Sequence, residues 1–180
     1  MRETAKVNRE EGFTLIDLLF VLGLIGVISA IAFPRLLLAR QSAGAASALG
    51  SLRAISSAEL TFALTCGGGF YAPSLPDLGT PPPGSPEAFL SPGMTTGVSV
   101  TRSGYVIRLE GTPFAGAPGG CNGLGVGEAS QAYKAGADPV VPDVPRYFAI
   151  NSNNQIWEDR SSLWAAMPEV GEPAAGHVLQ

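Results

Sequence analysis

The chain has 180 residues, one domain's worth with room for an appendage. Its formal net charge of −4 argues against general nucleic-acid binding, and 23 Gly with 15 Pro describe a loop-rich body. Only 14% of the residues are charged, which is low for a free cytosolic protein.

The chain opens on a short charged stretch, MRETAKVNREEG, in which Arg2, Lys6 and Arg9 balance Glu3, Glu10 and Glu11. An apolar run follows. From Leu18 to Phe33 no residue is charged, and counted from Phe13 the run has about the ~20 residues that a helix needs to cross a hydrocarbon core. A secretory signal would carry a shorter apolar core followed by a small-residue cleavage site. Here the run is too long and Gly12 precedes it. Arg35 and Arg40 follow closely, so the positive-inside rule gives only a slight bias toward a cytoplasmic N-terminus.

Gly12-Phe13-Thr14-Leu15-Ile16-Asp17 and the run behind it resemble the type IV prepilin signature: a charged leader ending in Gly, a Phe-Thr-Leu opening, an acid fifth after the Gly and a long apolar helix. Gly26 and Pro34 match a Gly and a Pro that recur in these helices. One departure is that the family's acid is nearly always Glu, and here it is Asp17, one methylene shorter. The signature covers roughly the first quarter of the chain. The resemblance implies a leader over residues 1–12, cut between Gly12 and Phe13 by a prepilin peptidase that also N-methylates Phe13. It implies a single-pass precursor in the inner membrane, surrounded by lipid, that later joins a cell-surface filament. The partners implied are further copies of the chain, or of related subunits in a mixed filament, and the pilus or secretion assembly machinery.

Asp17 is the residue that most needs an explanation. An acid in a membrane helix costs about 2.5–3.5 kcal/mol on insertion scales, whereas each Leu, Ile, Val or Phe returns about 0.3–0.6 kcal/mol. Insertion is still favoured, but the acid gains nothing locally. One reading places it near the interface, within reach of headgroups. The resemblance implies another: the Phe13 α-amine, of a neighbouring subunit or of the same chain, pairs with Asp17 inside a dry filament core. Gly23 and Gly26 weaken helix by up to ~1 kcal/mol each, and Pro34 by ~3 kcal/mol. The resemblance gives these residues a use, as a segment that kinks or melts on assembly. Small residues here (Gly23, Gly26, Ser29, Ala30) also suit close helix packing in lipid.

The transmembrane part is therefore expected over 13–34 and an amphipathic second half over 35–64, with a β-rich head over 65–180. In the second half Ala45, Leu49, Leu52, Ile55, Ala58 and Phe62 recur at three- and four-residue steps and mark an apolar face. Arg40, Gln41, Ser47, Arg53, Ser57 and Glu59 are expected mostly on other faces. Gly44 and Gly50 weaken the helix locally. One helix of about 50 residues, near 75 Å at 1.5 Å per residue, is expected to end at Cys66-Gly67-Gly68-Gly69.

Residues 70–96 are too rich in Pro and Gly for regular helix or central strand. Tyr71, Leu75, Leu78, Phe89 and Leu90 are expected to pin them to the core, and the resemblance makes this a face toward other subunits or the surroundings. Val98 and Val100 alternate with Ser99 and Thr101, then Tyr105, Ile107 and Leu109 alternate with Val106, Arg108 and Glu110 across an Arg102-Ser103-Gly104 turn. Residues 111–127 read as loop. Ala132–Asp138 reads as a third strand with Tyr133, Ala135 and Ala137 on one face, a short helix being the alternative. Arg146–Ile150 and Gln155–Trp157 read as a hairpin around Ser152-Asn153-Asn154. From Ser161 a Pro-, Ala- and Gly-rich tail is expected to dock through Leu163, Trp164 and Met167. The fold class is α+β: a long N-terminal helix packed on a mostly antiparallel sheet, a pilin-like roll.

Cys66 and Cys121 are the two cysteines. In an exported chain an isolated pair is most simply a disulfide, two buried free thiols being the alternative. No zinc spacing accompanies them. Gly123-Leu124-Gly125-Val126-Gly127 lacks the preceding strand, the helix and the Lys of a phosphate loop. No nucleophile elbow or zinc-protease motif occurs, and His177 lies in the tail, where it is expected to be solvated. Glu158, Asp159, Asp138 and Asp143 lack the ligand spacing of a calcium loop and read as surface acids. No catalytic residue, metal, cofactor or nucleic-acid surface is expected. Two other readings stay open: a pseudopilin of a type II secretion system, and a membrane-anchored extracytoplasmic binding or enzymatic domain that does not polymerise.

Overall fold

A computed structural model describes residues 14–141 and 146–179. The chain divides into two compact units, Met1–Arg40 and Gln41–Gln180. Helix α1, Leu15–Thr65, is continuous in secondary structure over 51 residues, the single long helix that the apolar periodicity foretells. It ends because glycine takes over. Gly68 and Gly69 adopt φ of +60° and +94°. The N–H groups of Cys66 and Gly67 return to Phe62 O, at 2.8 and 2.7 Å, and that of Gly69 to Ala63 O at 2.9 Å. These bonds satisfy carbonyls that the last helical turn would leave open.

Within the second unit, α1 presents Ala45, Ala48, Leu52, Ile55, Ala58 and Phe62 to the core. The core's other side is a six-stranded antiparallel sheet in simple meander order: β1 Ser99–Arg102, β2 Tyr105–Glu110, β3 Lys134–Pro139, β4 Tyr147–Asn151, β5 Ile156–Asp159 and β6 His177–Val178. Register places apolar side chains in rows across the inner face. Val100 faces Ile107, Ile107 faces Ala137 and Ala137 faces Phe148; Leu109, Ala135, Ile150 and Ile156 form the next row. Full burial of a Leu, Ile or Phe such as Leu52, Ile55 or Phe62 contributes about 1.5–3 kcal/mol each. Gly44 has a packing reason inside the helix: a Cβ there would stand 2.8 Å from Ser103 O in the β1–β2 turn.

Residues 70–96 are mostly irregular, as their composition implies, with one helical turn, α2, at Leu75–Leu78 and a 3-10 turn at Pro92–Met94. Leu75, Leu78 and Leu90 are buried in the core, and Tyr71 and Phe89 pack against it. The tail docks on the sheet's outer face. Leu163 and Met167 join Ala149 and Trp157 in a small second core. Asn151, fully buried, holds the segment by donating to Pro168 O at 3.0 Å and Gly171 O at 2.7 Å.

Three expectations need correction. Glu59 is not on a polar face: it is 0% exposed, while Arg53 and Ser57 are exposed. Val98 precedes β1 and is exposed, because the strand begins one residue later. The tail also contributes β6, which pairs with Trp157 and Glu158. Two residues are too short a run to show alternation.

Candidate assembly site

The leading half of α1 is apolar on all sides. Between Leu15 and Leu38 every Leu, Ile, Val and Phe is at least 44% exposed. A helix hydrophobic all round is one whose proper surroundings are lipid or other helices. This one is long and apolar enough to cross a membrane. Gly23 and Gly26 have open space where a Cβ would lie, and α1 runs through Pro34 without interruption. Gly12 and Phe13, the expected cut site, methylation site and amine partner, lie outside the described residues.

Asp17 sits in the first turn and has a local partner that the sequence reading did not assign. The Thr14 hydroxyl donates to its Oδ2, and the Thr14 N–H donates to the same oxygen at 3.3 Å. In return the Asp17 N–H points at Thr14 Oγ1 at 3.4 Å. Thr14 precedes the first helical residue and Asp17 is the third within the helix, so the pair forms a capping box. The carboxylate also faces the positive end of the helix dipole. The spacing Thr-x-x-Asp was legible as a cap signal. It was masked by the stronger signal of an acid inside an apolar run.

Cys66 and Cys121 are joined in a disulfide, their Cα atoms 4.9 Å apart. The bridge ties the end of α1 to the glycine-rich loop 111–127. Asn122 adds a second tie by donating to Asp77 O at 2.8 Å. Three of the four acids that lack a calcium-loop spacing have other partners. Glu158 receives both Nε and Nη2 of Arg146, at 2.6 and 3.1 Å, and this pairing holds its carboxyl below the usual range. Asp138 accepts from Ser162 Oγ at 2.8 Å and lies 3.7 Å from Arg108 Nη2. Asp159 accepts from the Arg160 N–H and the Ser161 hydroxyl. Asp143 lies outside the described residues. Among the described residues no group of three or more His, Cys, Asp or Glu could hold a metal ion. His177 is exposed, opposite Glu158 on β5.

A side chain that sequence reasoning misplaced is Glu59. Its Oε2 accepts the Ala72 N–H at 2.9 Å, while Oε1 is buried with no partner among the described residues. Burial pushes its pKa well above the ordinary value, the Ala72 bond opposing and the nearby Asp77 adding. The signal was present, since position 59 falls four after Ile55 and three before Phe62, on the apolar face itself. No protein-family model, no curated protein and no solved structure matches the chain.

Proposed function

We propose that this chain is a structural subunit of a type IV pilus or pilus-like filament, with an assembly role and not an enzymatic one. It is made as a single-pass inner-membrane precursor, cut between Gly12 and Phe13, methylated on Phe13, and drawn by its assembly machinery into a surface filament. The observation that carries this reading is the exposed, all-round apolar first half of α1 with a carboxylate in its first turn. Lipid can cover such a helix in the precursor, and the helices of neighbouring copies can cover it in a filament. A charge near its leading end has most to gain where a cationic amine meets it out of water.

The capping contact with Thr14 favours a second reading, in which Asp17 merely starts the helix of a plain membrane anchor. Mass spectrometry of the protein from native membranes and from the sheared extracellular fraction separates the two. A filament subunit is expected in the sheared fraction with N-methyl-Phe13 as its first residue. A chain that keeps residues 1–12 and stays in the membrane fraction would sink the filament reading.

A further inference from the structure

Glu59 is an acid built into the core, and among the described residues no salt bridge balances its charge. Its side chain is 0% exposed, one oxygen accepts the Ala72 N–H and the other finds no partner among the described residues. Among the described residues the groups that face it are few. From α2 comes Asp77, a like charge. From the segment before β3 comes Tyr133, whose buried phenol is pushed up to about 12 and which also feels Glu59. Tyr71 meets the Tyr133 ring edge-on at 5.1 Å. On α1 itself Ser56 contributes a hydroxyl near Tyr133. Among the described residues, the groups acting on Glu59 include no Lys, Arg or His. A carboxylate so placed loses its hydration without gaining a counter-charge, whereas the neutral acid keeps the bond from Ala72 and avoids that cost.

The residue it holds is well placed to matter. Ala72 is fully buried, follows Tyr71, which pairs with Ser130, and leads into α2, where Leu75 and Leu78 fill the core. Leu78 O in turn receives the Leu90 N–H at 3.1 Å. The segment from Tyr71 to Leu78 is thus tied to α1 through one carboxyl group and the apolar contacts beside it.

We propose that Glu59 is a proton-operated latch: as the neutral acid it holds the segment Tyr71–Leu78 on α1, and loss of its proton releases that segment. The direction follows from linkage. When the segment opens, Glu59 meets water and returns toward its ordinary pKa of 4.5, below that of the closed state. The closed state therefore binds more protons between those two values. Closure is strongest below the lower value and weakens as pH rises, until pH passes the closed-state value. In that window the opening equilibrium grows about tenfold per pH unit. The latch operates whether or not the chain polymerises.

The test is hydrogen–deuterium exchange on the full chain in detergent micelles, corrected for the intrinsic base-catalysed rate. In the wild type the amides of Ala72, Leu75 and Leu78 should open up to about tenfold more per pH unit above about pH 5. In Glu59→Gln, whose amide oxygen can still accept the Ala72 N–H but has no proton to lose, corrected opening should be flat with pH. Equal pH dependence in the two proteins overturns the latch, as does a flat wild-type profile. Infrared difference spectra give a second, wild-type-based readout. A protonated carboxyl C=O band, missing from Glu59→Gln, should persist in the wild type at pH values just above the ordinary carboxyl range, where exposed carboxyls are ionised; its absence there also overturns the proposal.

Discussion

The indole of Trp164 occupies the space that a side chain at residue 136 would need: a Cβ on Gly136 would stand 2.9 Å from Trp164 Cε3. Gly136 lies mid-sheet, between Arg108 of β2 and Ala149 of β4. Lys134 Nζ and Arg108 Cζ approach the same ring, at 5.0 and 5.6 Å from its centroid. Contacts of this kind contribute about 0.5–1 kcal/mol at exposed sites. The small residue therefore lets the tail's aromatic settle on the sheet, beside the second core of Ala149, Trp157, Leu163 and Met167.

Gly136→Ala should accordingly destabilise the protein by about 1–3 kcal/mol, despite alanine's lower backbone entropy cost. Denaturant unfolding of Gly136→Ala, Trp164→Ala and the double variant measures the cause. If the clash is the reason, Gly136→Ala should cost far less once Trp164 is gone. Strict additivity would show that Gly136 matters for some other reason.

The Cys66–Cys121 bridge spans a sequence separation of 55. Chain-entropy arithmetic for a loop of that size gives about 4 kcal/mol, as an upper figure. Cys121→Ser should lower the unfolding midpoint, and reductant should lower that of the wild type but not of the variant. The Asn122–Asp77 bond and the buried Phe62 beside the bridge keep the loop's attachment partly intact, so the variant should unfold earlier and not fail to fold.

Arg146 and Glu158 give a pH response opposite in sign to that of Glu59. The guanidinium's paired bonds hold the Glu158 carboxyl below its ordinary value of 4.5. Its stabilising contribution is present above that value and is lost as pH falls through the folded-state pKa. Glu158→Gln should flatten the acid side of the stability profile and leave the alkaline side alone. Glu59→Gln should instead remove the loss of stability that sets in as pH rises above 4.5, and leave the profile below that value alone. Because Arg146 is 42% exposed, added salt should shrink the Glu158 effect. Unfolding midpoints across pH at two ionic strengths provide the measurement.

What the sequence made legible was whatever repeats. The apolar steps of α1 and the alternation in β2 each bury one face, and burial imposes a period; β4, buried on both faces, shows instead as a continuous apolar run. Single residues with unusual surroundings broke the reading. Glu59 was assigned by residue type, although its position lay on the buried face. Asn151 is a polar residue that ends β4, and only the folded tail shows why it is buried. β6 depends on a return of the chain that its two residues do not announce. At the leading end of α1 the apolar run and its acid were plain. The Thr14 cap was readable from spacing but was overlooked, because an acid in an apolar run drew a longer-range explanation.

That cap makes the decisive experiment on Asp17 a comparison of three variants. Thr14→Val removes the hydroxyl that caps the helix, at a cost of about 1 kcal/mol, and leaves the carboxylate in place. Asp17→Leu removes both the cap partner and the charge, and makes membrane insertion easier by about 3–4 kcal/mol. Asp17→Glu keeps the charge on a longer arm. If Asp17 serves only to start the helix, Thr14→Val and Asp17→Leu should alter helix content alike, and neither should change how much protein is recovered by shearing. If the charge pairs with the Phe13 amine during assembly, all three should accumulate in the membrane, but only Asp17→Leu should vanish from the sheared fraction. Quantifying membrane and sheared fractions side by side reads both effects at once. Wild-type levels of sheared Asp17→Leu protein would separate the acid from assembly altogether and leave the capping box as its role.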